Sequence, residues 1–180
     1  YSKISKLKNN VTKPEDYFKE NIESSKKFIN NFFNKINNSK NFKKISFNKI
    51  NYKRLYFPRL LTNLNGYINW NWKTDDIIKF ANSFDEPYSG ALTFLNNKKV
   101  KIKNLKKLNQ FFSFHPYCNG LIVRNWKNTI YICTVDGLVY TDQILNQKNL
   151  NIIKDIKEGT RLITPNNILE KSMINTRKLD

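Results

Sequence analysis

Apolar side chains recur along this chain in two rhythms, and the change of rhythm divides it. In the first part the spacing is helical: Phe18, Ile22, Phe28, Ile29, Phe32, Phe33 and Ile36 share one face, and the opposite face is rich in Lys and Asn. Thr12-Lys13-Pro14-Glu15 opens this helix as a T-x-x-E capping box with a proline in the first turn, and the pattern stops near Asn37 or Asn38. Asn37 to Asn51 reads as a polar, basic connection with at most a short strand at Ile45 to Phe47. Tyr52 to Leu61 is aromatic and basic, and Pro58 limits it to an edge strand or extended strap. Asn65-Gly66 reads as a tight turn, since both residues tolerate positive φ. Tyr67, Ile68, Trp70 and Trp72 follow with large apolar surface. Thr74 is the expected N-cap of a second helix, with Asp75 and Asp76 in its first turn and Ile77, Ile78, Ala81 and Phe84 on one face. It should end near Asp85, because Pro87 disfavours helical geometry in the residue before it, and Gly90 closes the loop.

Beyond Gly90 the rhythm is that of strands. Leu92 to Leu95 and Val100 to Ile102 flank Asn96-Asn97, a hairpin-competent pair. Leu121 to Arg124, Ile130 to Thr134 and Leu138 to Ile144 are further strands; Asn119-Gly120 introduces the first, and Asp136-Gly137 joins the last two as a tight hairpin. Thr164-Pro165 starts a final helix over Asn166 to Arg177, with Ile168, Leu169, Met173 and Ile174 inward. Five such strands suggest a small antiparallel barrel, so the fold class is α+β.

Composition changes this picture little. The 180 residues suffice for one domain or a little more. A formal charge of +18 points first to nucleic acid or an anionic membrane. Asn, Lys and Ile dominate and Ala occurs twice, however, which an AT-rich coding sequence explains without any binding function. No signal-peptide pattern and no apolar run near ~20 residues is present, so a cytoplasmic protein with no membrane partner is expected. Cys118 and Cys133 lack metal-ligand spacing and are expected as buried free thiols, with no metal site. There is no Gly-rich phosphate loop, no G-x-S-x-G and no H-E-x-x-H. Asp75-Asp76 is read as helix-start charge, not as an acid–base pair. The chain opens at Tyr1 without a Met on a basic segment, as expected of a fragment whose beginning is missing.

Gly66-Tyr67-Ile68-Asn69-Trp70, followed by Asp85-Glu86-Pro87-Tyr88-Ser89-Gly90-Ala91, resembles the paired G-x-I-D-W and D-P-Y-x-G-A signatures of folate-dependent formyltransferases. That family includes methionyl-tRNA formyltransferase and the amino-sugar N-formyltransferases. Gly66, Asn69, Trp70, Asp85, Pro87 and Gly90 are the motif positions; Asn69 stands where an Asp is usual, and Ser89 where a second Pro is common. The resemblance implies that residues 1–50 are the end of a catalytic Rossmann-like domain, here its last long helix. Residues 51–90 would be strap, linker and capped helix, and 91–180 an OB-like C-terminal barrel with a terminal helix.

The implied reaction moves a formyl group from 10-formyltetrahydrofolate to a primary amine. It needs a base for the amine, a donor for the developing oxyanion and a carboxylate to orient the base. The family supplies these as Asn, His and Asp in the N-terminal domain, which would also bind the folate. His115-Pro116 falls after the G-x-I-D-W motif and lacks the surrounding pattern, so no catalytic residue is assigned to this chain. Arg54 and Arg59, alternating with Tyr52, Tyr56 and Phe57, are candidates for substrate binding through paired guanidinium–phosphate contacts and ring stacking. Tyr88 joins them, and like Trp70 it is also read as shaping its loop. The acceptor is expected to be an amino sugar carried on a nucleotide. Methionyl-tRNA is the alternative, held on Lys98, Lys99, Lys101, Lys103, Lys106 and Lys107. A stand-alone OB-type nucleic-acid binder, using Phe94, Tyr131 and Tyr140, is a reading from a different class.

Overall fold

A computed structural model describes residues 7–8, 11–38, 58–109 and 112–174. The short strand expected at Ile45 to Phe47 and most of the basic strap, including Arg54, lie outside them.

Helix α1 runs over Pro14–Asn38. Its start differs from the expected capping box: the Asp16 carboxylate, not Glu15, accepts the amides of Lys13 at 3.1 Å and Thr12 at 3.3 Å. Glu15 instead pairs with Lys19 one turn on. None of α1 is buried among the described residues, and Phe18 of the expected inner face is 64% exposed. Its first turn touches the rest of the fold, with the Glu15 amide donating to the Glu86 carbonyl at 3.0 Å.

Helix α2, Thr62–Asn65, replaces the expected turn at Asn65-Gly66. Gly66 has a negative φ of −77° and is the residue capping that helix. Close approach accounts for the glycine, since a Cβ there would lie 2.7 Å from the Thr62 carbonyl oxygen. Asn65 is buried; its side chain accepts the Leu61 amide at 2.9 Å and donates to the Ser172 carbonyl at 2.6 Å. Helix α3 covers Thr74–Ser83 and turns Ile77 and Ala81 inward.

Among the described residues eight short strands follow: β1 Ala91–Leu95, β2 Lys98–Lys103, β3 Lys106–Lys107, β4 Ile122–Trp126, β5 Thr129–Thr134, β6 Gly137–Thr141, β7 Gln143–Leu145 and β8 Leu162–Ile163. They form two antiparallel four-stranded sheets, in the orders β7-β2-β1-β8 and β3-β6-β5-β4, and not the closed five-stranded barrel expected. The expected strand Leu138 to Ile144 is broken at Asp142, so that β6 and β7 belong to different sheets. The chain from β2 to β3 changes sheet in the same way at Asn104, whose φ is +53°. Strands that bend from one sheet into the next are how orthogonally packed sheets turn corners. The two corners meet, with Asn104 Nδ2 donating to Asp142 Oδ1 at 2.8 Å. Both expected hairpins form, β1–β2 around Asn96-Asn97 with positive φ at both residues, and β5–β6 with Thr134 opposite Gly137. A third, β4–β5, turns at Lys127-Asn128, also with positive φ at both.

The core lies between the sheets and α3, on Ile68, Trp70, Ile77, Phe84, Val100, Ile102, Ile122, Ile130, Ile132, Val139, Ile144 and Leu162. Helix α4 spans Asn166–Ile174 and caps a smaller cluster of Tyr67, Leu92 and Leu169. Its inner face is Leu169 and Ser172; Met173 and Ile174, expected inward, are 63% and 77% exposed. Ser172 fits the buried position because its hydroxyl donates to the Leu169 carbonyl at 2.6 Å.

Candidate functional site

The two motifs meet at the end of α3. That helix is fixed from outside itself: its N-cap position is Lys73, and Thr74, expected as the cap, is its first residue. The acceptor is Asp136, in the β5–β6 hairpin, which takes the Thr74 amide at 2.8 Å and the Thr74 hydroxyl at 2.6 Å. These bonds, the hydroxyl first, hold the Asp136 carboxyl below its ordinary pKa. A carboxylate beside the first free N–H groups of a helix also meets the positive end of its dipole.

At the other end, the loop Asp85–Gly90 is closed by the Gly90 amide donating to the Phe84 carbonyl at 2.9 Å, and by the Tyr88 amide donating to that of Asp85 at 2.9 Å. Gly90 has φ +102°, and a Cβ there would meet the Ile102 carbonyl oxygen at 2.8 Å. Pro87 follows a cis peptide bond. Asp85 is 1% exposed and is the hub of the loop. Its Oδ2 pairs with Lys13 Nζ at 2.9 Å and accepts the Asn104 amide at 2.8 Å, and its Oδ1 accepts the Glu86 amide at 2.7 Å. Burial pushes the Asp85 carboxyl up, but the Lys13 ammonium and the two amides outweigh it, and the net shift is downward. One carboxylate therefore ties together the start of α1, the end of α3 and the β2–β3 corner. The Glu15 amide donates to the Glu86 carbonyl at 3.0 Å, and Glu86 pairs with Lys103.

The first motif is built into the core. Trp70 is buried, with its indole N–H donating to Thr93 Oγ1 at 3.0 Å, and Thr93 in turn shares a 3.2 Å hydrogen bond with Thr164. Asn69 Oδ1 accepts the Asn71 amide at 2.9 Å. An Asp at position 69 would accept the same bond, so the departure from the usual residue costs the turn nothing.

The substrate-binding candidates are placed as follows. Arg54 lies outside the described residues. Arg59 is exposed just ahead of α2, and Tyr88 is 44% exposed on the tied loop. Gly66, seven residues after Arg59, packs against the end of α3, where an added Cβ would lie 3.4 Å from Phe84 Cδ1. Beside it Pro58, Leu60, Tyr67, Trp72, Phe80 and Met173 line an apolar cavity of about 270 Å³. The six lysines are dispersed: Lys103 pairs with Glu86, Lys107 with Asp75 at 2.8 Å, Lys101 bonds Asn149 at 2.8 Å, and Lys99 stands 5.6 Å from the Tyr67 ring centroid. Phe94 stacks on Tyr67 at 6.2 Å, whereas Tyr131 and Tyr140 are on the other sheet.

His115 is exposed, and its Nδ1 accepts the Tyr117 amide at 3.1 Å as the cap of a short 3₁₀ turn, Pro116–Cys118. Both cysteines are free thiols. Cys133 is buried, and burial, then the neighbouring Cys118, pushes its pKa up to about 11; Cys118 is partly exposed. Among the described residues no group of three or more His, Cys, Asp or Glu side chains could hold a metal ion. Nor is any described helix long and apolar enough to cross a membrane. The residues that sequence reasoning missed are Lys13, Asn104 and Asp136 as tethers. Only Asp136 carried a local signal, its Asp-Gly turn.

A family model described as the C-terminal domain of formyl transferase matches residues 61–161, more than half of the chain. The chain is also similar to a bifunctional polymyxin resistance protein, ArnA, of Wigglesworthia glossinidia brevipalpis, at 31% identity over 121 residues. That alignment covers 64% of this chain and 17% of the relative.

Proposed function

The chain belongs to the formyltransferase family, and we propose that it is the C-terminal part of an enzyme moving a formyl group from 10-formyltetrahydrofolate to the amine of a nucleotide-linked amino sugar. The family implies a folate-type formyl donor for the parent protein. His115 accepts the Tyr117 amide as the cap of its own turn. In this reading folate binding and proton transfer belong to the catalytic part of the parent protein, and this chain's residues hold the acceptor.

The observation that carries the reading is the Asp85 hub. It fastens α1, which precedes the matched domain, to the loop that presents Tyr88. A loop tied on three sides is a pre-organised edge for a substrate shared between two domains. The exposed apolar side chains of α1, Phe18, Ile22, Ile29, Phe33 and Ile36, support its assignment to the end of a larger catalytic body. The two strands that switch sheets, and the antiparallel bridge between Leu121 and Arg161 that links β4 to the β8 segment, support an OB-like ancestry for the rest. In this reading the Arg59 guanidinium pairs with the nucleotide's pyrophosphate, Arg54 is a second candidate for that role, and the Tyr88 ring lies against the sugar. Methionyl-tRNA is the weaker acceptor, because three of the six lysines of its platform, Lys101, Lys103 and Lys107, are engaged with local partners. We place the protein in the cytoplasm.

The test is Arg59→Ala in the parent enzyme. Losing a charge-assisted pair to phosphate should raise KM for the sugar nucleotide about 10- to 100-fold with kcat largely kept. An unchanged KM would remove Arg59 from the site.

A further inference from the structure

Sheet β3-β6-β5-β4 has two faces of opposite character. Ile122, Ile130, Ile132 and Val139 point into the core and are fully buried. On the other face the strand register sets Lys106 opposite Tyr140, Tyr140 opposite Tyr131, and Tyr131 opposite Arg124. Directly paired residues project on the same side of a sheet, so these four make one row, with two tyrosines in the middle and a cation at each end. The tyrosine rings lie 5.9 Å apart and tilted by 31°. Two residues along β4, at the hairpin tip, Trp126 is 47% exposed. Arg124 stands 5.1 Å from its ring and Lys127 4.3 Å. Lys106, Arg124 and Lys127 are exposed and have no ion-pair partner among the described residues. Glu158 sits at the edge of β4, where its carboxylate accepts the Asn125 amide at 2.8 Å.

We propose that this outer face binds single-stranded nucleic acid. Its bases would stack on Tyr140, Tyr131 and Trp126, and its phosphates would meet Lys106, Arg124 and Lys127. Four strands at the ordinary spacing make the row about 14 Å across, room for about two or three nucleotides. The arrangement discriminates between polyanions. A duplex keeps its bases stacked inside and offers this face only phosphates, whereas a single strand offers both ring faces and phosphates, and stacking on aromatic side chains tolerates any base. The half-buried tyrosine rings lie against each other and Trp126 stands beside two cations, so little side-chain freedom is lost on binding. The face is independent of formyl transfer, and its loss would leave the acceptor site as described.

The test is fluorescence anisotropy of the whole chain with labelled oligouridine of about ten nucleotides, from about 50 to about 200 mM salt. Tyr131→Ala and Tyr140→Ala leave the charge untouched, and each should raise Kd on the order of tenfold. Trp126→Ala, at an exposed hairpin tip, should do the same, and it carries the test if the tyrosine variants lose the thermal transition of the folded chain. A duplex of equal length should bind more weakly than the single strand. The proposal is overturned if aromatic removal leaves Kd unchanged and the duplex binds as well, which is the behaviour of dispersed positive charge alone. It is equally overturned if oligouridine gives no anisotropy change at low salt.

Discussion

Replacing Asp85 with Asn should cost more stability than its single small side chain suggests. The carboxylate receives three donors, Lys13 Nζ at 2.9 Å and the amides of Asn104 at 2.8 Å and Glu86 at 2.7 Å. A carboxamide has one acceptor oxygen and turns an N–H₂ group toward one of these donors. Removing one partner of a buried ion pair typically costs about 3–5 kcal/mol. The Lys13 side chain is 27% exposed and regains water when released, which puts the expected loss near the lower end, about 3 kcal/mol. Lys13→Ala leaves the buried carboxylate its two amides but no counter-charge, and should cost about as much, about 3 kcal/mol. The assay is urea unfolding of the chain followed by tryptophan fluorescence across a range of pH. The folded pKa of Asp85 lies below its ordinary value, so its contribution is complete above the unfolded pKa of about 3.9 and is lost as pH falls through the folded value. The stability gap between the wild-type chain and Asp85→Asn should therefore stay constant from about pH 7 to about pH 5 and close below about pH 4. A gap under about 1 kcal/mol, or one that persists unchanged through the carboxylate range, would refute the hub.

Other outcomes follow from the same contacts. Asp136→Ala should cost about 1 kcal/mol, since it strips α3 of the acceptor for the Thr74 amide and hydroxyl. Asp75→Ala, which loses only an exposed pair with Lys107, should stay within about 0.5 kcal/mol, and equal losses in urea would contradict the cap. Gly90→Ala should cost about 2–3 kcal/mol through strain at positive φ and contact with the Ile102 carbonyl, read as a lowered urea midpoint at unchanged slope. A neutral Gly90→Ala would mean that the loop is not tied as described.

Local chemistry was legible in the sequence, and long-range partnership was not. Asn96-Asn97 announces its hairpin because positive φ at adjacent residues favours such side chains, and Asp136-Gly137 marks the second without positive φ, Gly137 pairing opposite Thr134. The sheet switches at Asn104 and Asp142 left no comparable trace, since a strand that bends between sheets keeps its apolar alternation on both sides. On α4 the periodicity pointed to Met173, yet Ser172 takes the buried place because its hydroxyl finds a carbonyl in the preceding turn. Thr74 reads as a cap by its residue type, and only the folded β5–β6 hairpin supplies the stronger acceptor. At the site, the motif residues were recognisable, but Lys13 and Asn104, which give Asp85 its role, are distant in sequence and belong to no periodic pattern.

The central claim is that this chain serves acceptor binding in an amino-sugar formyltransferase, and the direct measurement is formyl transfer by the parent enzyme with both acceptors supplied. With 10-formyltetrahydrofolate as donor, the account predicts formylation of a nucleotide-linked amino sugar and none of methionyl-tRNA, with Arg59→Ala weakening the former through KM. Formylation of methionyl-tRNA alone, or of neither acceptor, would contradict it.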